Sequence, residues 1–223
     1  MDSKLSKSLV ESLNHLAGLD EAHLELGKDM SKAFGGAIYG MDLLAFGALN
    51  RSKAHIAGFR TLIESRNLIC AGALLRLQLD TAMRFFAAFL VEKPHDFAVA
   101  ILRGNRVSAL RDQEGKQMTD AYLASKLGEK YEWVPRVYDR TCNYVHFSST
   151  HLMSALSLKE GDGESLEFEA KISADDKPLP DWIYIEASDA FCAATDILLQ
   201  YVHGWVFTKA NPELIGKWKR ERV

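Results

Sequence analysis

The sequence predicts an all-α protein, an antiparallel helical bundle of about five major helices with one small β-hairpin inserted at about residues 165–186. Long segments carry apolar residues at the three- and four-residue spacing that places them on one face of a helix. Glycine and proline fall near the ends of these segments, where helices commonly stop or start. Because no linker, internal repeat or low-complexity region divides the chain, we expect residues 1–223 to form a single helical-bundle domain.

The composition is that of a globular protein, with 48% hydrophobic and 26% charged residues and a net charge of -3. A chain of 223 residues can bury a core without disulfides or metal ions. The acidic balance argues against a protein built mainly to wrap nucleic acid. No run of about 18 apolar residues predicts a membrane span, and the N-terminus has no signal-peptide pattern. We therefore expect a cytoplasmic protein with buried, reduced thiols at Cys70, Cys142 and Cys192.

The N-terminal part of the chain reads as two helices. Residues 3–17 carry leucines on one face, and the glycine pair at 35–36 interrupts the helical pattern that follows. A long helix over 38–64 then has an inner face of small and large apolar side chains. Arg51 and His55 lie four residues apart beside that face, and we expect them to form a solvated edge.

The next helix, over residues 67–91, is nearly apolar all round, which is typical of a helix in the middle of a domain. Arg76, Asp80 and Arg84 are spaced four residues apart, so they share one face, and Asp80 can pair with both arginines. Two interpretations stay open. The three residues form a partly buried structural ion network, or Asp80 orients another, functional side chain. We favour the network, because structural ion pairs also produce such clusters.

Shorter helices should follow. Pro94 suits the first turn of one, and Thr119 can cap another that runs to Leu127 and ends at Gly128. Pro135 is a natural start for the segment after that. Within it, Ser148 or Ser149 can begin a fresh turn. We expect the core to come mainly from four helices, over 38–64, 67–91, 136–157 and 190–208, the last capped by Ser188.

The predicted hairpin rests on a change of period. Residues 165–173 alternate apolar and polar side chains, residues 182–185 form a second strand-like run, and residues 175–180 have turn chemistry. Two strands alone are marginally stable, so the hairpin should pack on the bundle or on a second subunit. The basic stretch 217–222 is expected to be a frayed terminus rather than a binding arm.

Candidate chemistry lies between residues 138 and 148. Arg140, Asn143 and His146 stand at three-residue intervals and would form a slowly drifting polar stripe on a helix. A guanidinium can bind phosphate oxygens and an imidazole can move a proton near neutral pH. Cleavage of RNA by its own 2′-hydroxyl needs only these two services and neither metal nor cofactor. The neighbouring stripe is expected to face the core and comprises Tyr138, Cys142, Val145 and Leu152.

Other chemistries lack their motifs. The chain has no phosphate-binding loop, no HExxH, no pair of Glu-x-x-His motifs on facing helices, no Gly-x-Ser-x-Gly elbow and no GxGxxG fingerprint. We therefore expect no metal site and no dinucleotide site.

The spacing of Arg140 and His146 in an all-helical chain resembles the signature of the HEPN superfamily, an Arg and a His separated by four to six residues. The commonest version has Asn directly after the Arg, where this chain has Thr141. The wider pattern, with the segments 74–80 and 144–148 and a closing helix, is similar to a group of uncharacterised bacterial proteins related to that superfamily. The resemblance covers most of the span from about 40 to 210.

The resemblance implies a function. Many HEPN members are metal-independent endoribonucleases of toxin–antitoxin and phage-defence systems, and they usually act as dimers. Arg140 would then bind phosphate and His146 would transfer protons. A second copy of the chain, RNA and a cognate antitoxin or other protein would be its partners. The supporting residues would be Asn143, Tyr144, Arg76, Asp80 and Arg84.

A non-catalytic interaction protein is the alternative. In that case Arg140, His146, Asp80 and Arg76 would form an internal polar network that holds the helices in register. The surroundings of His146 distinguish the two hypotheses. A catalytic imidazole should line a cleft or a dimer groove beside Arg140. A structural one should be buried, with both ring nitrogens bonded to protein groups.

Overall fold

The computed structural model describes residues 5–160, 166–174 and 179–213, and within them it confirms an all-α fold with one small antiparallel hairpin. Short 3-10 turns at Ala33–Gly36, Ala87–Phe89 and Val107–Ala109 join some of the helices. The elements are α1 (Lys7–Lys32), α2 (Gly40–Glu64), α3 (Leu68–Phe86), α4 (Pro94–Leu102), α5 (Asp120–Gly128), α6 (Val134–Val145), α7 (Ser149–Ala155), β1 (Leu156–Glu160), β2 (Leu166–Ala170) and α8 (Asp181–Ala210).

The core lies between the four long helices α1, α2, α3 and α8. Helix α3 packs against α2, α8 and α6, which confirms the prediction of a central helix in this part of the chain. The prediction that residues 136–157 supply the core is wrong, because only Val134 and Thr141 of α6 are buried and no residue of α7 is. Helix α1 takes that place, with Leu9, Leu13 and Leu16 buried.

Side-chain caps explain several of the helix starts. The Ser6 hydroxyl, the Asn67 amide oxygen and the Thr119 hydroxyl each accept a hydrogen bond from a backbone N–H in the first turn of α1, α3 and α5. Pro94 stands in the first turn of α4, as predicted. Helix α1 continues to Lys32, well beyond the predicted end at residue 17. It ends where Phe34 and Gly35 take φ values of 52° and 65°.

The hairpin lies earlier in the chain than the sequence predicted. Strand β1 pairs with β2 in antiparallel register, with Leu158 opposite Phe168. Residues 182–185, predicted as a strand, form the first turns of α8, where Tyr184, Ser188 and Phe191 are buried at helical spacing. A short apolar run does not distinguish strand from helix by itself. Ser188 is therefore no cap, and its hydroxyl donates to the Tyr184 carbonyl.

Part of the predicted turn and the basic C-terminal stretch cannot be compared with the structure. Positions 175–178 of the predicted turn and the basic stretch 217–222 lie outside the described residues. No described helix is long and apolar enough to cross a bilayer.

The prediction of three buried thiols is wrong for Cys70, which is exposed, while Cys142 is half-buried. Cys192 is buried, and burial raises the pKa of its thiol to about 12.

A buried polar chain joins α1, α2 and α3. The His23 Nδ1–H donates to the Leu19 carbonyl at 2.7 Å, so Nε2 accepts from the Ser52 hydroxyl at 2.8 Å. Ser52 in turn accepts from the Gln78 amide nitrogen at 2.7 Å. This order of donors and acceptors requires a neutral imidazole at His23.

The same Gln78 amide extends the chain to α8 and back to α2. Its nitrogen also donates to the Thr195 hydroxyl at 2.9 Å, and its oxygen accepts from the His55 Nδ1–H at 3.1 Å. His55 is buried, so the prediction of a solvated edge is wrong for this residue. Its partner lies on another helix, and spacing along α2 alone could not indicate it. Burial lowers the pKa of both His23 and His55.

A second buried cluster ties the ends of three helices together. The Lys209 ammonium donates to Asp42 Oδ2 at 3.0 Å and to the Met30 carbonyl at 2.7 Å. The Trp205 indole N–H donates to Asp42 Oδ1 at 2.8 Å. The last turns of α1 and α8 are thereby fixed to the first turn of α2, and both charges have bonded partners.

The buried histidines predict a pH dependence of stability. Because their pKa values are lowered in the folded state, the unfolded chain takes up protons below about pH 6.5 that the folded chain does not. The free energy of unfolding should therefore be highest above that pH and should fall as the pH is lowered. Urea denaturation midpoints measured at intervals from pH 8 to pH 5 check this.

The matched variants are His23→Gln, which removes one buried imidazole, and His203→Gln, which removes an exposed one. The first should flatten the pH dependence below pH 6.5, and the second should leave it unchanged. Equal slopes in all three proteins would show that the buried histidines do not control acid stability.

Candidate functional site

Two close contacts position helix α6, which carries most of the candidate residues. At its start, a Cβ on Gly128 of α5 would lie 2.6 Å from a ring carbon of Pro135. Near its end, a Cβ on Gly72 of α3 would lie 2.6 Å from the ring of Tyr144. Both glycines thus allow side chains of α6 to pack directly on neighbouring backbone. Tyr144, predicted as a supporting residue, anchors the last turn of α6 on α3.

Arg140 lies on the exposed side of α6 and pairs with Glu186 of α8, with Nη1 2.9 Å from Oε1. The two side chains are 64% and 50% exposed. An exposed ion pair contributes little to stability, so the Arg140 guanidinium can leave Glu186 and bind another anion at little cost in free energy. A small cavity of about 80 Å³ beside it is lined by Tyr144 and Thr141 but not by His146.

His146 lies directly after the end of α6 rather than on the helix. Its φ and ψ values of -101° and 139° are extended, and its backbone N–H closes the last turn on the Cys142 carbonyl. The side chain is exposed, and within the described parts of the chain its ring makes no hydrogen bond. Neither expectation is met within the described residues of one subunit: the ring is not bonded in the core, as a structural histidine would be, and it does not line the cavity beside Arg140, as a catalytic one would.

The helix break has a local cause. Ser148 caps the separate helix α7, and its hydroxyl donates to the Asn143 carbonyl at 2.8 Å. A fresh turn at Ser148 is confirmed, but the continuous stripe of Arg140, Asn143 and His146 is not formed. Asn143 is exposed, and no side-chain contact joins the three residues within the described structure.

Arg76, Asp80 and Arg84 do come together, as the spacing predicted. Asp80 is buried and lies 2.9 Å from Arg84 Nε and 3.7 Å from Arg76 Nη1. Arg51 of α2 approaches the other carboxylate oxygen at 3.8 Å. Burial raises the pKa of the Asp80 carboxyl despite these cations, whose attraction acts in the opposite direction.

Asp120 completes this cluster from the first turn of α5. Its carboxylate lies 3.2 Å from Arg84 Nη2 and 3.8 Å from Arg76 Nη2. The Arg76 guanidinium also lies over the ring of Tyr138, 4.2 Å from its centroid. The cluster therefore connects α2, α3, α5 and α6. Neither Arg140 nor His146 belongs to it.

An exposed apolar surface adjoins His146. Phe147 is 84% exposed and stacks on His151, with ring centroids 5.7 Å apart. Ile172, two residues after the end of β2, is 100% exposed. The apolar side chains of the predicted inner stripe, Val145 and Leu152, point to solvent because the break separates α6 from α7. We call the exposed set Val145, Phe147, Leu152 and Met153 the α7 surface.

Several residues of the site could not be identified from the sequence. Glu186 pairs with Arg140 and Arg51 approaches Asp80 from helices that are distant in sequence, so residue spacing along one helix cannot predict either contact. Asp120 directly follows the predicted cap Thr119, which is the one signal that placed it in a first helical turn. Among the described residues, no group of three or more His, Cys, Asp and Glu side chains is placed to hold a metal ion.

No protein-family model, no curated protein and no solved structure matches this chain.

The ion cluster predicts a large effect of Asp80→Ala. The substitution leaves Arg76, a buried guanidinium, without its nearest anion and should cost about 3 kcal/mol of unfolding free energy. Asp80→Asn retains a hydrogen-bond acceptor and should cost less. Chemical denaturation of both variants beside Asp139→Asn, an exposed carboxylate on α6, measures the difference. Equal stability of Asp80→Ala and the wild type would mean that the cluster does not hold α3 in place.

Proposed function

We propose that this chain is a HEPN-like, metal-independent RNA-cleaving protein that acts as a homodimer in bacterial defence or stress response. The observation that carries the proposal is the state of His146. Its imidazole is exposed and unbonded within the described structure, and it directly follows the helix that carries an exposed guanidinium, Arg140. A free imidazole at a fixed helix end is available for proton transfer.

The reaction needs no group beyond the substrate and these side chains. The 2′-hydroxyl oxygen of RNA attacks the adjacent phosphorus while an imidazole removes its proton. The bond from phosphorus to the 5′-oxygen breaks, and that oxygen takes a proton from an imidazolium. The products are a 2′,3′-cyclic phosphate and a 5′-hydroxyl. The Arg140 guanidinium would bind the phosphate oxygens and stabilise the charge that develops on them.

A second copy of the chain would complete the site. Each subunit supplies one His146, whereas the reaction uses one base and one acid. The α7 surface lies in the same segment as His146 and exposes four apolar side chains, a feature of surfaces that bind protein. Its burial between two subunits would bring two His146 side chains to one groove.

The Arg140–Glu186 pair is compatible with phosphate binding. Because both side chains are at least half exposed, little free energy is lost when the guanidinium exchanges its carboxylate for a phosphate. Phe147, which stacks on His151, would offer an aromatic face to an unpaired base.

A non-catalytic interaction protein is the second candidate function. The exposed apolar side chains of the α7 surface favour it equally, because they would suit a different protein partner such as an antitoxin. In that case the Arg76–Asp80–Arg84 cluster would be purely structural and no RNA cleavage would occur.

The catalytic pair predicts two different mutant phenotypes. His146→Ala should lower RNA cleavage by at least about 100-fold while RNA binding persists, because only proton transfer is lost. Arg140→Ala should lower both cleavage and RNA affinity. Since both side chains are exposed, neither change should alter the melting temperature appreciably. Labelled single-stranded RNA, analysed by gel and by mass spectrometry of the product ends, measures both effects.

The controls are EDTA and His203→Ala, which removes an exposed histidine from α8. Cleavage should survive both, and sedimentation velocity on the same samples should show a dimer. An inactive wild type, or activity that persists in His146→Ala, would exclude the proposed reaction. A stable dimer without any cleavage would favour the interaction protein.

A further inference from the structure

A groove of about 460 Å³ lies on the far side of the ion cluster, between α2, α3 and the segment that follows α4. Its floor is apolar and is formed by Leu44, Phe85 and Ile101. Leu43 and Leu102 also line it and are among the exposed large apolar side chains of the protein. A volume of this size is within the range of small-molecule sites. Neither Arg140 nor His146 lines this groove.

A glycine of α2, Gly47, lines the groove. Gly47 lies on the exposed side of α2, and a Cβ at this position would meet no atom within 4 Å. Glycine inside a helix costs about 1 kcal/mol relative to alanine, and here no close packing of another element accounts for it. The open space above Gly47 is therefore part of the groove itself.

The charged residues that line the groove are all cations. Arg51, Arg84 and Arg106 line it, and no carboxylate does. Arg84 donates to buried Asp80 and to Asp120, while Arg51 donates to His55 at 3.4 Å and lies 3.8 Å from Asp80, so both guanidiniums have protein partners that restrict them before any ligand binds. Each is still close to half exposed. Fixed guanidiniums lose less entropy on binding than free ones.

The charges do not cancel within the cluster. Arg51, Arg76 and Arg84 face two carboxylates, Asp80 and Asp120, which leaves one positive charge. Arg106 adds another, because its side chain makes no ion pair or hydrogen bond in the part of the chain that the structure describes. With Arg106 counted there are two more arginines than carboxylates, and three of the four arginines, Arg51, Arg84 and Arg106, line the groove, whereas Arg76 does not.

We propose that this groove binds a small amphiphilic anion, a molecule with a carboxylate or phosphate head and an unbranched apolar chain. The head would take the place between Arg51, Arg84 and Arg106, where guanidiniums offer paired donors to an oxyanion. The chain would lie over Gly47 and contact Phe85 and Ile101. This binding function goes beyond RNA cleavage and does not depend on it.

Isothermal titration of the full chain with soluble probes below their micelle concentration tests the proposal. Decanoate and decyl phosphate distinguish the two head groups, decanol has the chain without the charge, and inorganic phosphate has the charge without the chain. At least one charged amphiphile should bind and raise the melting temperature, since a ligand of the native state stabilises it. Decanol and phosphate should bind at least about tenfold more weakly, because each lacks one of the two contacts.

Two variants locate the binding. Gly47→Leu places a side chain in the groove from a position where a Cβ meets no atom within 4 Å, should strengthen α2, and should abolish binding. Gly18→Leu, at an exposed helical glycine of α1 that is equally open, is the matched control and should leave the affinity unchanged. Arg106→Gln removes a cation that has no structural partner and should weaken binding about tenfold without loss of stability.

Three results would overturn the proposal. Decanol binding as tightly as decanoate would show an apolar patch only. Unchanged affinity in Gly47→Leu would place the ligand elsewhere. Absence of amphiphile binding, together with weaker RNA binding in Arg106→Gln, would assign these arginines to RNA. Because the titration can be repeated on His146→Ala, which retains the groove, its outcome is independent of whether RNA cleavage is found.

Discussion

One buried side-chain amide sets the relative positions of four helices. Gln78 has no exposed surface, and its three hydrogen bonds reach α2 twice and α8 once, while Ser52 passes the chain of bonds on to His23 of α1. Apolar packing tolerates small shifts, whereas a buried amide left without partners costs about 1–3 kcal/mol. The helices can therefore slide or rotate against one another only if several bonds break together. Such a network specifies one arrangement of the core.

With α3 fixed in this way, its other face becomes a platform for the elements packed on it. Arg76 contacts Tyr138, and Gly72 receives the ring of Tyr144, so α6 is held along most of its length. The end of α6 is thus placed by packing, although its last residues face solvent. The same ion cluster that contacts α6 on one side fixes the arginines of the groove on the other. Both proposed sites depend on the position of α3.

The sequence predicted what depends on period and on local caps. The long helices α2 and α3, the central position of α3, the pairing of Asp80 with its arginine neighbours, and the starts at Pro94 and Thr119 all follow from residues close together in the chain. It failed where distant groups decide. His55 is buried because Gln78 receives it, and residues 182–185 are helical because Tyr184 packs into the core. The helix breaks at His146 because Ser148 caps the new helix α7, and the spacing of apolar residues does not predict which of the two, continuation of α6 or a new cap, is more stable.

The two glycines under α6 have a consequence for finding relatives of this chain. At Gly72 and Gly128 a methyl group would force a ring to move, so these positions restrict substitution more than most of the apolar core, where similar side chains can replace one another. Homologues in which α6 packs against α3 and α5 in the same way should retain glycine at both positions even when the rest of the sequence has diverged. A paired glycine, matched to a proline and an aromatic residue on the later helix, is thus a search pattern based on shape rather than on catalytic residues.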